Sequence, residues 1–182
     1  MLQASQMAVN VPTLETKRLR LRGHRIEDFP QSARMWSDPS VTRYIRENPF
    51  SAEETWSRLL RYIGHWALLG FGYWAVEQKE DGDFVGEVGF ADYKRDISPS
   101  LAGIPEIGWV LASNVHGKGL ATEAVRAAVS WADESFGKRQ TACIIAPDNL
   151  ASIRVAEKAG YLECARTTYH AKPTVVFKRD PA

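Results

Sequence analysis

EIGWVLASNVHGKGLAT, the run from Glu106 to Thr122, decides how the rest of this chain is read. Glu106–Leu111 reads as an extended strand, with Glu106, Gly108 and Val110 on one face and Ile107, Trp109 and Leu111 on the other. From Leu120 to Phe136 the apolar residues Leu120, Ala124, Val125, Ala128, Val129 and Ala132 share one helical face. Between them lies a glycine-containing turn, Ala112–Gly119. The amides that open a helix have no partner inside it and carry the positive end of its dipole. Glycines let such a backbone curl around a phosphate or pyrophosphate. Lys118 either adds a charge there or is simply solvated. Two known fingerprints fail: Lys118 is followed by Gly119 rather than Ser or Thr, and Thr122 stands where G-x-G-x-x-G needs its third glycine. A plain helix start also uses glycine, so these letters alone balance an anion site against a bland turn.

Working outward, Leu14–Arg22 alternates Leu19 and Leu21 with Arg18, Arg20 and Arg22, a half-exposed strand with a solvated arginine face. Asp28–Ser37 reads as a short helix stopped by Asp38-Pro39. Ser51 and Glu54 form a capping box, and Trp56, Leu59, Leu60, Ile63 and Ala67 make the apolar stripe of the helix that follows. Tyr73–Gln78 and Phe84–Phe90 flank a charged Asp-Gly connection, a hairpin signal. Asp92–Pro105 is a loop, Thr141–Ala146 a strand and Leu150–Ala159 a helix stopped by Gly160. Tyr161–Thr167 and Thr174–Arg179 are strands around a turn near Lys172-Pro173. The order is mixed α and β.

The 182 residues suit one domain over 13–182 after a short arm, Met1–Pro12. A net charge of +1 argues against a dedicated nucleic-acid binder. No apolar run approaches the roughly 20 residues of a membrane span. Cys143 and Cys164 are too few for a disulfide framework and read as small core groups on neighbouring strands. The histidines lack a metal-ligand spacing, so no metal is expected. Met1–Pro12 has no basic, continuously apolar start, which makes the cytoplasm the expected compartment. Oligomeric state is left open, a homodimer included.

His116-x-x-Gly119-x-Ala121, followed by Thr122-Glu123-Ala124, resembles the acetyl-coenzyme A signature of the GCN5-related N-acetyltransferases, whose usual pattern is Q/R-x-x-G-x-G/A. Asn149 to Tyr161 (NLASIRVAEKAGY) is similar to that family's later motif, and Leu14–Arg22 with Ile45-Arg46 resembles its branch of ribosomal-protein N-terminal acetylases. The resemblance runs from about Thr13 to Arg179. It implies an α/β fold: a splayed, mostly antiparallel sheet of about seven strands with helices on both faces. It also implies that Glu106–Leu111 and Thr141–Ile145 part like a V around acetyl-coenzyme A. On this resemblance Val110, Leu111, His116, Gly117, Lys118, Gly119, Leu120, Ala121, Thr122, Asn149 and Ser152 are the expected cofactor-binding residues. His116 departs from the usual Gln or Arg, but a position that offers mainly its N–H tolerates the change.

The resemblance further implies direct attack of an amine on the thioester within a ternary complex. A neutral amine is needed, which makes a general base useful. Strand amides around Val110 are the expected oxyanion donors. Glu106 is the leading base, weighed evenly against a solvated or ion-paired glutamate, and Glu87 is its rival. Many relatives supply the acid from a tyrosine in the register of Ala156, which has no proton to give. Ser152 matches a serine placed near the sulfur in some ribosomal-protein acetylases, against a plain first-turn role. Asn149 contacts the pantetheine arm or only caps its helix. Trp74, Trp109, Tyr93 and Glu87 are expected beside the acceptor pocket. Its specificity is expected to come from Arg46–Ser51, Asp92–Pro105 and Thr168–Thr174. The leading reading is an N-acetyltransferase acting on the amine of a small molecule or protein N-terminus; the alternative is a non-catalytic acyl-coenzyme A sensor.

Overall fold

The structure, a computed structural model, describes residues 9–181. Its strands are β1 (Leu14–Glu15), β2 (Leu19–Arg22), β3 (Tyr73–Gln78), β4 (Phe84–Ala91), β5 (Glu106–Leu111), β6 (Thr141–Ile145), β7 (Leu162–Tyr169) and β8 (Lys172–Arg179). The helices are α1 (Phe29–Trp36), α2 (Pro39–Thr42), α3 (Ala52–Leu69), α4 (Leu120–Ser135) and α5 (Leu150–Lys158). They build one sheet in the order β1-β2-β3-β4-β5-β6-β8-β7. Every neighbouring pair is antiparallel except β5 with β6. The count is eight rather than about seven because Leu14–Arg22 is two strands. Between them Thr16 turns the chain, its N–H donating to the Leu19 carbonyl at 2.9 Å.

Side-chain alternation sorts the core into two layers. Trp74, Val76, Val88, Phe90, Ile107 and Leu111 face α4 through Leu120, Ala124 and Val125. On the opposite face Ala75 and Phe84 meet Met35 and Trp36 of α1, and Tyr73 and Ala91 meet Tyr62 of α3. Trp74 is therefore a core residue and no part of an acceptor pocket. It is fully buried between Trp66 and Trp131, and its indole N–H donates to the Pro12 carbonyl at 2.8 Å. Val9 and Val11 pack on the same core, so the expected arm does not extend to Pro12; Met1–Ala8 lie outside the described residues.

Both bonds of the capping box form, Glu54 N–H to Ser51 Oγ at 3.1 Å and Ser51 N–H to Glu54 Oε2 at 2.8 Å. The expected stripe on α3 holds at Leu59, which is buried, but Leu60 is 50% exposed and Ile63 36%, and Tyr62 and Trp66 are buried instead. Both aromatics find buried acceptors, Tyr62 OH on Glu87 at 2.9 Å and Trp66 Nε1 on the Tyr73 carbonyl at 3.0 Å. Those bonds and their larger apolar area settle which side of α3 turns inward. The last hairpin turns at His170-Ala171, both at positive φ (48° and 59°), as a two-residue hairpin turn requires, and not at Lys172-Pro173. Pro173 lies within β8, before the residues that pair with β6. Cys143 is buried on β6, but Cys164 is exposed on β7, and β8 separates the two strands.

Arg22 also departs from its expected solvated face. Its Nη1 and Nη2 donate to Asp28 at 2.8 Å each, and its Nε to Glu77 at 2.8 Å. Burial by itself would raise the Asp28 pKa, but the Arg22 guanidinium and the Arg25 N–H outweigh it and hold the carboxyl below its usual value. With the folded pKa below the unfolded value of about 3.9, the stabilisation is present above that pH and fades as acid titrates the folded form. Asp28→Ala is expected to cost about 3 kcal/mol in urea unfolding at pH 7, since it leaves a buried guanidinium half-paired. The difference from wild type should shrink below about pH 4.

Candidate functional site

Strands β5 and β6 share a single register pair, Glu106 with Ala142, where the Ala142 N–H donates to the Pro105 carbonyl at 3.1 Å. Beyond it they part, and the gap opens into a cleft of about 550 Å³. Its walls include Trp109, Val110, Leu111, Ile144 and Ile145 from the two strands. The ladder to β4 fixes which amides look into it. Ala112 N–H donates to the Val85 carbonyl at 2.9 Å, so alternation turns the amides of Val110 and Gly108 toward β4 as well. The amides of Trp109 and Leu111 consequently point into the gap. These, rather than the amide of Val110 itself, are the donors available to a ligand there. The Leu111 carbonyl accepts from His116 Nε2 at 2.9 Å. A carbonyl only accepts, so Nε2 carries the hydrogen and the ring fastens the end of β5 to the turn.

In that turn Gly117 and Gly119 adopt φ of 76° and 77°, the left-handed region that side chains disfavour. Among the described residues the amides of Gly117, Lys118, Gly119, Leu120, Ala121 and Thr122 meet no protein acceptor; the first helical bond runs from Glu123 N–H to the Gly119 carbonyl at 3.2 Å. The turn is braced from outside. Glu123 accepts from Thr16 Oγ1 at 2.7 Å, from the Arg18 N–H at 2.8 Å and from Arg18 Nε at 2.7 Å. Arg18 Nη1 donates to the Lys118 carbonyl at 2.9 Å. Arg18 thus belongs to the turn, although its place in an alternating strand suggested only a solvated face.

Opposite the turn, Asn149 accepts from the Ser152 N–H at 3.2 Å and is the cap of α5; both residues line the cleft. Ala156 is fully buried in the core instead. The charged side chains of the lining are Arg43, Arg154 and Lys158, with no carboxylate among the described residues. Sequence reasoning missed these cations because they come from distant segments and cancel in the net charge. Cys143 also borders the cleft, but it is buried in the main core, and burial pushes its thiol pKa well up, which keeps it neutral. Asp38 joins α2 to the segment after β5, accepting from Ser113 Oγ at 2.7 Å and from the Ser40 N–H at 2.8 Å. The Ser113 hydroxyl leads the contacts that hold its carboxyl below the usual range.

The two candidate bases lie away from these walls. Glu106 is 6% exposed, and Arg95 donates to both its oxygens at 2.6 and 2.7 Å, the ion-paired arrangement. Glu87, 1% exposed, accepts from Ser32 Oγ at 2.7 Å, Trp36 Nε1 at 3.0 Å and Tyr62 OH at 2.9 Å. Tyr93 OH bonds to Tyr73 OH at 3.2 Å on that same side of the sheet. The Tyr62 phenol pKa is raised by burial and then by the Glu87 charge. Of the four residues expected beside the acceptor pocket, only Trp109 lines the cleft.

Comparison with known proteins agrees with this geometry. The sequence profile described as the acetyltransferase (GNAT) domain matches residues 18–162. An uncharacterized N-acetyltransferase, p20, of Bacillus licheniformis is 29% identical over 150 residues, 82% of each chain. A GnaT-family acetyltransferase structure from Bordetella pertussis superposes with a TM-score of 0.81 at 27% identity, covering 93% of this chain and 99% of that one. RimL, a ribosomal L7/L12 alpha-N-protein acetyltransferase solved with coenzyme A, shares the fold with a TM-score of 0.76 at 16% identity, over 93% of this chain and 98% of its own. The profile spans most of the chain and agrees with the open strand pair and its glycine turn: the chain belongs to the GNAT acetyltransferase family.

Proposed function

We propose that this acetyltransferase takes acetyl-coenzyme A into the gap between β5 and β6 and acylates a primary amine. The observation that carries the reading is the run of unpartnered amides from Gly117 to Thr122 at the mouth of a cleft lined by cations and no carboxylate. Such a cradle fits a diphosphate. The unpaired edge of β5 fits an extended chain with amide groups of its own, as the pantetheine arm has, because it supplies the missing strand contacts.

Acetyl-coenzyme A, when bound, supplies the activated acyl group: the amine lone pair forms the C–N bond, the C–S bond breaks, and the amine proton ends on the departing sulfur. The protein's part is orientation and charge. The inward amide of Trp109 is the donor for the oxyanion, a contribution of about 3 kcal/mol in comparable sites, and that of Leu111, nearer the turn, is left for the pantetheine arm. Ser152, on the first turn of α5 and in the cleft lining, would offer its hydroxyl to the departing sulfur. Glu106, clamped by Arg95, holds the closed end of the V. An α-amino group titrates near about 8, so a useful fraction of such an acceptor is neutral without a dedicated side-chain base; an alkylamine, near about 10.4, reacts through a much smaller neutral fraction that grows with pH.

Gly119→Val is expected to weaken coenzyme A binding at least about tenfold by calorimetry, since a β-branched residue resists the left-handed backbone that aims the amides. An unchanged Kd with an unchanged fold would move the site elsewhere. Ser152→Ala is expected to lower kcat about tenfold with little change in cofactor affinity, and Glu106→Gln to lower melting temperature more than kcat. Thiol release on an amine panel measures the kinetic effects. A loss of kcat by 10³ or more in a folded Glu106→Gln enzyme would restore that residue as the base.

A further inference from the structure

On the face of α3 that the proposed reaction leaves unused, two arginines one helical turn apart, Arg58 and Arg61, line a second cavity of about 250 Å³. The Arg58 guanidinium lies over the Trp36 ring at 4.0 Å and the Phe50 ring at 4.5 Å. Its buried Nε has no hydrogen-bond partner, and its one side-chain bond is a long contact from Nη1 to Tyr62 OH at 3.4 Å. Among the described residues neither arginine forms an ion pair. Nearby carboxylates are committed elsewhere: Glu87 to its three donors, and Glu54 to Arg46 at 2.6 Å and the Ser51 N–H. Glu53 and Glu54 both line the cavity beside the two arginines; Glu54 is held by Arg46, and Glu53 is exposed on the first turn of α3. A guanidinium cannot shed its charge at any ordinary pH; burial opposes that charge, but Tyr62 and the Glu87 carboxylate behind it offset the cost, while neither arginine has a carboxylate in direct contact.

Phe50, which forms part of the cavity wall, packs against the same buried cluster, Met35, Trp36, Ala75 and Phe84, as Val41 and Val110, and both of those line the cleft. A molecule lying across Phe50 would have one end on the cleft side of that cluster and the other toward the two guanidiniums. From this we infer that the acceptor amine carries a carboxylate at its far end, and that Arg58 and Arg61 bind it. This specificity site rests on the proposed acetyl transfer. A planar fork meeting a carboxylate suits the pair better than a single ammonium would.

The test uses ω-amino acids of increasing length, from glycine to 6-aminohexanoate, each against its carboxamide, with the full-length protein. At one or more lengths the acid is expected to exceed the amide in kcat/KM by about tenfold or more, mainly through KM. Arg61→Met, on an exposed position, and Arg58→Met should each bring that ratio toward one. In Arg61→Met, turnover of the amides and coenzyme A affinity should stay unchanged. Arg58→Lys should restore only part of the preference. A wild-type ratio near one at every length overturns the inference, as does a ratio that survives in Arg61→Met and Arg58→Met alike. Calorimetry with the N-acetylated acids of the same series reads the anion site without turnover: binding of one or more of them, lost in Arg61→Met, supports the site even if no amine is acetylated. Absence of binding to wild type at every length counts against it even where acetyl transfer succeeds. A failure of coenzyme A binding speaks only against the parent reaction.

Discussion

The architecture depends on two parallel strands that stop pairing after one register position. A sheet normally pairs a strand along both of its edges, and an unpaired edge inside the protein is costly unless something else fills it. Here β5 is paired by β4 along its length and by β6 only at Glu106. Being parallel, both strands end at the same side of the sheet, and each leads toward a helix there, α4 after β5 and α5 after β6. The opening therefore has a helix start on each wall. That agrees with the general rule that ligands of open sheets bind beyond the carboxyl ends of parallel strands.

The two faces of the sheet are built differently. Against α4 the packing is aliphatic and tryptophan-rich, while against α1 and α3 it encloses Glu87, Tyr62, Tyr73 and Arg58. Buried polar groups tolerate few alternative arrangements once each has a partner. Glu87, with three donors from two helices, fixes α1 and α3 against β4 opposite Val110. This polar layer gives the cleft a stiff floor, whereas Ser40–Ile45 on its rim is joined to the segment after β5 through Asp38 and Ser113.

Much of this was legible in the letters. Periodicity located α4 and its buried face, Ser51 and Glu54 announced the start of α3, and Asp-Gly marked the β3–β4 hairpin. The glycine turn was readable as well, because positive φ leaves so few residue choices. What escaped depended on partners far away in the chain. Arg18 and Arg22 look alike in an alternating strand, yet one braces the turn and the other is buried beside Asp28 and Glu77. Part of the inward face of α3 was missed because Leu60 and Ile63 are as hydrophobic as a core demands, while the deciding acceptors sit on β3 and β4. Glu106 and Glu87 were rival candidate bases, with an ion-paired Glu106 weighed evenly, and only the fold reveals which partners engage their oxygens.

Arg18 and Glu123, locked together beside the turn, offset one another, so attraction there comes from amide dipoles rather than from net charge. Arg154 and Lys158, on the α5 side of the cleft, act as ordinary mobile-side-chain cations. Dissolved electrolyte screens exposed point charges over about 8–10 Å near physiological strength, but it weakens direct contact with oriented peptide groups far less. Raising ionic strength should therefore loosen the two ends of a bound polyanion unequally. The end on the α5 wall would let go first, while the end against the peptide cradle stays anchored.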